Sequence, residues 1–219
     1  VVRIARPGQK FPLPIDAKYN LFNRSRRSLT LDLTKARDVD RLWQLIERAE
    51  VLIEGFRPGK MEKLGFGPEQ VQARNPALVY GRLTGWGQEG PLAHAAGHDM
   101  NYAAITGAVW GLGDADRPPP APMNLIADQG GGAMMLNVGI LAALAHARAT
   151  GQGQVVDTAM TDGVNLLMTM QHGLVACGAW SDKRSGDFIN GGVAWYRCYE
   201  TGDGKYVSVG CLEPQFFAE

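Results

Sequence analysis

The sequence lacks any excess of charge of one sign. Lys and Arg total 22, and so do Asp and Glu, over 219 residues. Proteins that work on nucleic acid or on a membrane surface leave a basic electrostatic footprint. Without one, neither kind of partner is expected. Cysteine is scarce: Cys177, Cys198 and Cys211 form an odd set with no CxxC spacing. That argues against a disulfide framework or a zinc ribbon, and for a reducing compartment. No signal peptide is recognisable, and no apolar run reads as long enough to span a bilayer. A cytoplasmic location is expected, with peroxisome or mitochondrion as alternatives in a eukaryotic source. The tandem glycines at 130–132 lack GxGxxG spacing and the later acidic residue of a dinucleotide site. They also lack the Lys-Ser/Thr ending of a P-loop. His94 and His98, in HAAGH, lack the Glu and the helical context of a zinc pair, so no metal site is expected.

What is present is a folding sequence. It is 45% hydrophobic, enough for a core, and its 28 glycines and 12 prolines call for many turns. Residues 35–49 place Val39, Leu42, Trp43, Leu45, Ile46 and Ala49 on one helical face. VLIE (51–54) reads as a short buried strand, and Pro68 fits the first turn of a short helix that Pro76 closes. LVYGRLTG (78–85) and VVDT (155–158) read as strands. A helix is expected over 99–111, a long apolar one over 128–149 and a Met-rich one over 160–178. Strands alternating with helices through short loops predict an α/β fold with an open, Rossmann-like parallel sheet. YRCYETGDGKYVSVG (196–210) alternates around Gly202-Asp203-Gly204, a hairpin signal. The change of pattern places a boundary between a large domain, 1–185, and the start of a smaller α+β domain, 186–219. The chain opens on Val1-Val2-Arg3-Ile4, which reads as mid-strand, and stops at Phe216-Phe217-Ala218-Glu219, just inside a helix. Both ends read as cut.

A few residues could carry chemistry. Asp128 precedes the glycine-rich helix start, where its side chain would cap free N–H groups. Three glycines in a first turn destabilise a helix unless something must come close to its backbone. A carboxyl group beside such a terminus could meet a carbonyl oxygen that gains negative charge. His98, in GHDMNY (97–102), is suited to proton exchange near neutrality, although a loop histidine is often only a surface residue. His146 and His172 read as structural. Glu213, at the end of YVSVG, is ordinarily solvated but could orient a histidine. Asn124 lies four residues before Asp128 and could supply a polar contact. Arg3, Arg6, Lys10, Arg24, Arg26, Arg27, Arg57 and Lys60 could line a rim that grips phosphate. Residue types alone therefore reach an α/β protein with an anionic small-molecule site.

Several stretches together carry a resemblance: VVRIARP (1–7), RSLTLDL (27–33), VLIEGFRPGKMEKLGFGPE (51–69), RLTGWGQEGP (82–91), AGHDMNYAAITG (96–107), PMNLIADQGGG (122–132), GQGQVVDTAMTDG (151–163) and GKYVSVGCLEPQF (204–216). In order and spacing they resemble the class III CoA-transferase (CaiB/BaiF) superfamily and, within it, the α-methylacyl-CoA racemases. The resemblance implies an interlocked dimer, an acyl-CoA substrate and no cofactor, CoA being part of the substrate. It implies that His98 and Asp128 are two bases on opposite faces of an α-carbon, exchanging its proton through an enolate. Glu213 matches the partner of the histidine; Asn124 and Tyr196 match pocket positions. Arg6, Leu31, Asp32, Leu33, Thr34, Arg57, Gly97, Asp99, Met100, Asn101 and Tyr102 match CoA-contacting positions. It also implies that the helix N-terminus after Asp128 stabilises the enolate oxygen. Thr34 stands where Lys is frequent, which weakens that CoA contact. Two other functions remain open. One is a CoA-transferase in which Asp128 is the nucleophile, and the other a non-catalytic CoA-binding fragment. His98 favours the racemase, because proton transfer needs a second base.

Overall fold

A computed structural model describes residues 1–9 and 16–218. Lys10, counted above among the basic residues, lies outside the described residues. Strand β1 (Val2–Ala5) pairs in parallel with β2 (Arg27–Thr30). A second parallel sheet has the order β3 (Val51–Glu54), β4 (Val79–Thr84), β5 (Val155–Ala159). A third is the antiparallel hairpin of β6 (Tyr196–Glu200) and β7 (Tyr206–Gly210). The architecture is α/β with parallel sheets, as the alternation of elements predicts. The one open sheet expected is instead two separate parallel sheets among the described residues.

Helix α1 (Ala36–Ile46) enters the fold after β2; α2 (Lys60–Lys63) and α3 (Pro68–Arg74) cross over from β3 to β4. Leu42 and Ile46 of α1, Met61, Phe66, Val71 and Tyr80 close one core cluster with Leu31. Tyr80 satisfies its buried hydroxyl by donating to the Phe66 carbonyl at 2.8 Å. β4 is the middle strand, and five of its six residues are buried, as a parallel strand covered on both faces requires. β3 departs from the expectation of a buried strand. It lies at the edge, and Ile53 is exposed.

The return from β4 to β5 runs through α4 (Asp99–Ile105), a π-helix (Leu125–Met134) and α5 (Met135–Thr150). The expected helix over 99–111 ends at Ile105, and Gly107 follows with a positive φ that breaks the helical path. The long apolar helix starts earlier than expected, at Leu125 rather than 128, and its first ten residues are π-helical. Leu125–Thr150 together are long and apolar enough to cross a membrane by length and composition. This corrects the expectation that no such run exists. Part of its composition follows from packing, because Leu136, Ile140, Ala143 and Ala147 are buried against Val79 and Val156, while Met134, Val138 and Leu141 are exposed. His146 is exposed on the outer face of α5, and His172, beyond β5, is exposed too, so neither is a core histidine.

The helix expected over 160–178 is two, α6 (Met160–Leu167) and α7 (Thr169–Ala176). The break falls at Met168, where ψ opens to 8° and Thr169 donates its hydroxyl to the Leu166 carbonyl. α6 crosses the π-helix closely. A Cβ on Gly163 would overlap the Gly131 carbonyl, and one on Gly131 would lie 2.6 Å from the Val164 nitrogen. Gly131 is thus explained by the backbone of another helix of the same chain coming close, while Cβ atoms on Gly130 and Gly132 would crowd the Leu125 and Ala127 carbonyls of their own π-helix and the Leu167 and Met160 side chains of α6.

Candidate active site

β4 and β5 end side by side at Thr84 and Ala159. Past the carboxyl ends of strands is where parallel α/β sheets place ligands. There the chain leaves β4 through Gly85-Trp86-Gly87 and reaches α4. Tyr102 of α4 is packed back against this turn, edge-on to Trp86 with ring centroids 4.7 Å apart. The space exists because Gly85 and Gly97 carry no side chain. A Cβ on Gly85 would overlap the Tyr102 ring, and one on Gly97 would lie 2.6 Å from it. Gly97, Tyr102 and Trp86 therefore fix the entry of α4, and α4 begins with His98 at its N-cap.

His98 is exposed, and its backbone N–H donates to the Asn101 side-chain oxygen at 3.0 Å. Met100 and Asn101 are exposed on the same turn. Asp99 turns inward and is 3% exposed. Its Oδ2 accepts the N–H groups of Ala127 at 2.7 Å and of Asp128 at 2.8 Å. This pair of bonds joins α4 to the π-helix and brings the residues next to His98 against Asp128.

Asp128 was expected as a helix N-cap and is not one. Asn124 holds the N-cap position, and Asp128 lies in the first turn. Its side chain is partly buried. Burial pushes its carboxyl above the usual aspartate range; the Asp99 carboxylate adds to the shift, and His98 opposes it. Tyr102 is raised by burial and then by Asp128, while Arg57 acts in the other direction. His98, Asp99, Tyr102, Asp128 and Arg57 thus share one electrostatic neighbourhood, with the Asn124 main chain bonded to Gln129 beside them.

The expected enolate site after Asp128 needs correction. The amides of Ala127 and Asp128 are already bonded to Asp99, and Gln129 donates to the Asn124 carbonyl at 3.3 Å. Those groups are not free to meet a developing negative charge.

A second group of expected residues gathers at the ends of β1 and β2. Leu31 donates its N–H to the Ala5 carbonyl at 2.9 Å, which sets Arg6 beside the Leu31–Thr34 turn. Leu31 is in the core, so only its main chain is available to a ligand. Asp32 accepts from the Thr34 N–H and hydroxyl, and donates its own N–H to buried Asp38. Hydrogen bonds from Thr34 hold its carboxyl below the usual range. Leu33 is partly buried beside it. A third group, Tyr196 and Glu213, lies with the hairpin. Glu213 is exposed at the N-cap of α8 (Pro214–Phe217), where its carbonyl accepts from Phe216 and Phe217. Among the described residues of one chain, no hydrogen bond joins it to His98.

Two clefts, of about 340 and 330 Å³, open beyond Trp86 and are lined by Glu89 and Asp162 among others. Neither is lined by His98 or Asp128. Sequence reasoning missed Trp86 and the inward turn of Asp99. The GWG triplet signals the first, since two glycines beside a large ring mark a close approach.

The chain is similar to known proteins in sequence and in fold. The chain is 41% identical over 217 residues to human alpha-methylacyl-CoA racemase, covering 99% of this chain and 55% of that protein. It is 42% identical over 199 residues to the mouse alpha-methylacyl-CoA racemase, covering 91% and 52%. The chain thus spans about half the length of the curated relatives it matches. A crystal structure of the hypothetical protein Rv3272 from Mycobacterium tuberculosis superposes with a TM-score of 0.78 at 30% identity, over 99% of this chain and 58% of that one. The model of CoA-transferase family III matches residues 2–219. The chain belongs to CoA-transferase family III.

Proposed function

We propose that this chain carries the proton-transfer pair of an acyl-CoA racemase acting on 2-methylacyl thioesters. The observation that carries it is the union of His98 and Asp128 through Asp99, with two proton-exchanging side chains in one electrostatic field. One base removes the α-proton and leaves its electron pair delocalised into the thioester carbonyl as an enolate. The other base donates a proton to the opposite face, and the carbonyl re-forms. Atoms balance with no redox step. Arg57 and the turn Leu31–Thr34 with Arg6 are the proposed CoA contacts, and Asn124 and Tyr196 the proposed pocket positions. Exposed Met134 at the end of the π-helix, Val138 and Leu141 on α5, and Leu166, Leu167 and Met170 beyond support a further covering surface. An interlocked dimer, which would bring a partner's Glu213 to the histidine, is proposed to supply it.

The test is racemisation and α-hydrogen exchange of a single enantiomer of a 2-methylacyl-CoA in deuterated water. His98→Ala and Asp128→Ala should each lower racemisation by about 10²–10⁴-fold. Each variant should retain exchange only with the enantiomer whose hydrogen faces the remaining base. Racemisation unchanged in His98→Ala would exclude the two-base assignment. The family also favours a second function, CoA transfer, in which the Asp128 carboxylate attacks the thioester to form an anhydride with loss of CoA thiolate. Hydroxylamine trapping followed by mass spectrometry separates the two, since only transfer leaves an adduct on Asp128.

A further inference from the structure

The first turn of the π-helix is capped from outside. Asn124, at the N-cap, makes no side-chain capping bond. The acceptor is Asp99 Oδ2, 28 and 29 residues away in sequence from the amides it bonds. The second oxygen of Asp99 is buried without a hydrogen-bond partner. A cap does not require a charge, since Asn and Ser serve as well as Asp. A buried carboxylate with an unbonded oxygen is destabilising, and a second carboxylate beside it adds repulsion. The helix dipole offsets only part of this. A charge placed at such cost calls for a reason other than capping.

The geometry points to Asp99 as a positioning residue of the proton-transfer pair: adjacent to His98 and bonded to the backbone of Asp128, it sets their separation and holds negative charge against the Asp128 carboxyl. This rests on the proton-transfer function proposed above. Asp128 has to hold a proton in one direction of reaction and give it up in the other. A neighbouring negative charge favours the protonated form, which suits a carboxyl group that works as an acid. The groups that face Asp128 from α4 are Asp99, His98 and Tyr102, with Arg57 acting on Tyr102 from the loop after β3. α6, packed on the π-helix, brings Asp162, which acts on Asp157 instead. Arg82 of β4 is paired with Glu54 and Glu62, and Arg148 of α5 with Glu50. Asp99 is thus the acidic group that acts on Asp128.

Asp99→Asn removes the charge and leaves an oxygen able to accept both amides. In the whole protein, the Asp128 carboxyl, labelled with carbon-13 and assigned through Asp128→Asn, should then titrate at lower pH than in the wild type. The rising limb of the racemisation pH profile should move the same way, with KM little changed. Asp99→Ala, which loses the tether as well, should lose roughly 100-fold in kcat, the effect of a small misplacement. An Asp128 titration that does not move in folded Asp99→Asn overturns the inference. Should that variant not fold, the wild type decides. The amides of Ala127 and Asp128 must be protected from hydrogen exchange like the interior of α5, and exchange at loop rates overturns the inference. Racemase activity with an Asp128 that ignores Asp99 would sink this inference alone. An Asp128 that responds to Asp99 in a protein without such activity would sink the proposed function alone.

Discussion

Replacing Gly163 with Ala places a methyl group on the Gly131 carbonyl, where α6 crosses the π-helix that carries Asp128. The nearest atoms are the oxygen, carbon and Cα of Gly131, all backbone. No side chain can rotate away, so the two helices must separate. Overpacking of this kind costs about 1–3 kcal/mol, and rigid backbone on both sides puts it at the upper end. Ala favours a helix over Gly by up to about 1 kcal/mol, which offsets part of that. The net expectation is a loss of about 1–2 kcal/mol. For a chain of 219 residues, that is a fall in Tm of roughly 2–8 °C. Gly173→Ala in α7 supplies the control. A Cβ there meets nothing within 4 Å, so only the propensity gain remains, and stability should rise by up to about 1 kcal/mol. Urea denaturation of the two variants beside the wild type makes the comparison. If Gly163→Ala proved as stable as Gly173→Ala, the close crossing would be wrong, and with it the account of Gly131.

Two other outcomes follow from the same packing. Arg82→Met leaves the buried Glu54 carboxylate without its 2.9 Å partner and should destabilise by about 3–5 kcal/mol; adding Glu54→Gln should restore much of this in a double-mutant cycle. Asp128→Asn tests the burial of that carboxyl through linkage. A folded-state pKa raised above the unfolded one gives stability that is present below the unfolded value and lost as pH rises through the folded value. The variant, which cannot ionise, should therefore gain on the wild type as pH rises above the usual aspartate range. A urea-midpoint difference that stays constant with pH would contradict the shift.

Where sequence and structure agree, the signal was local. α1 follows from the spacing of Leu42 and Ile46, and α3 from Pro68 at its first turn. β6 and β7 follow from alternation around a Gly-Asp-Gly turn. None of these needs knowledge of a distant partner. His98 and Asp128 were legible only as residue types with ordinary alternatives, a loop histidine and a helix cap. The resemblance to CoA-transferase family III, rather than periodicity, singled them out.

What was misread around the π-helix shares one cause. The start of the helix at Leu125 depends on Asp99 supplying an acceptor from another helix. A local reading instead takes Asp128 for the cap, because it stands just before glycines. Those glycines are in turn read as room for a ligand, because a single stretch of sequence does not reveal that Gly163 sits against Gly131. Gly85 and Gly97 show the same ambiguity resolved the same way, by the ring of Tyr102. A glycine cluster beside an acidic residue reports only that something comes close. Here each of these close approaches is made by the chain itself, and their joint effect is to hold α4 and the π-helix in contact. The glycines therefore bear on chemistry indirectly: they bring α4 and the π-helix together closely enough for Asp99 to bind the backbone of Asp128.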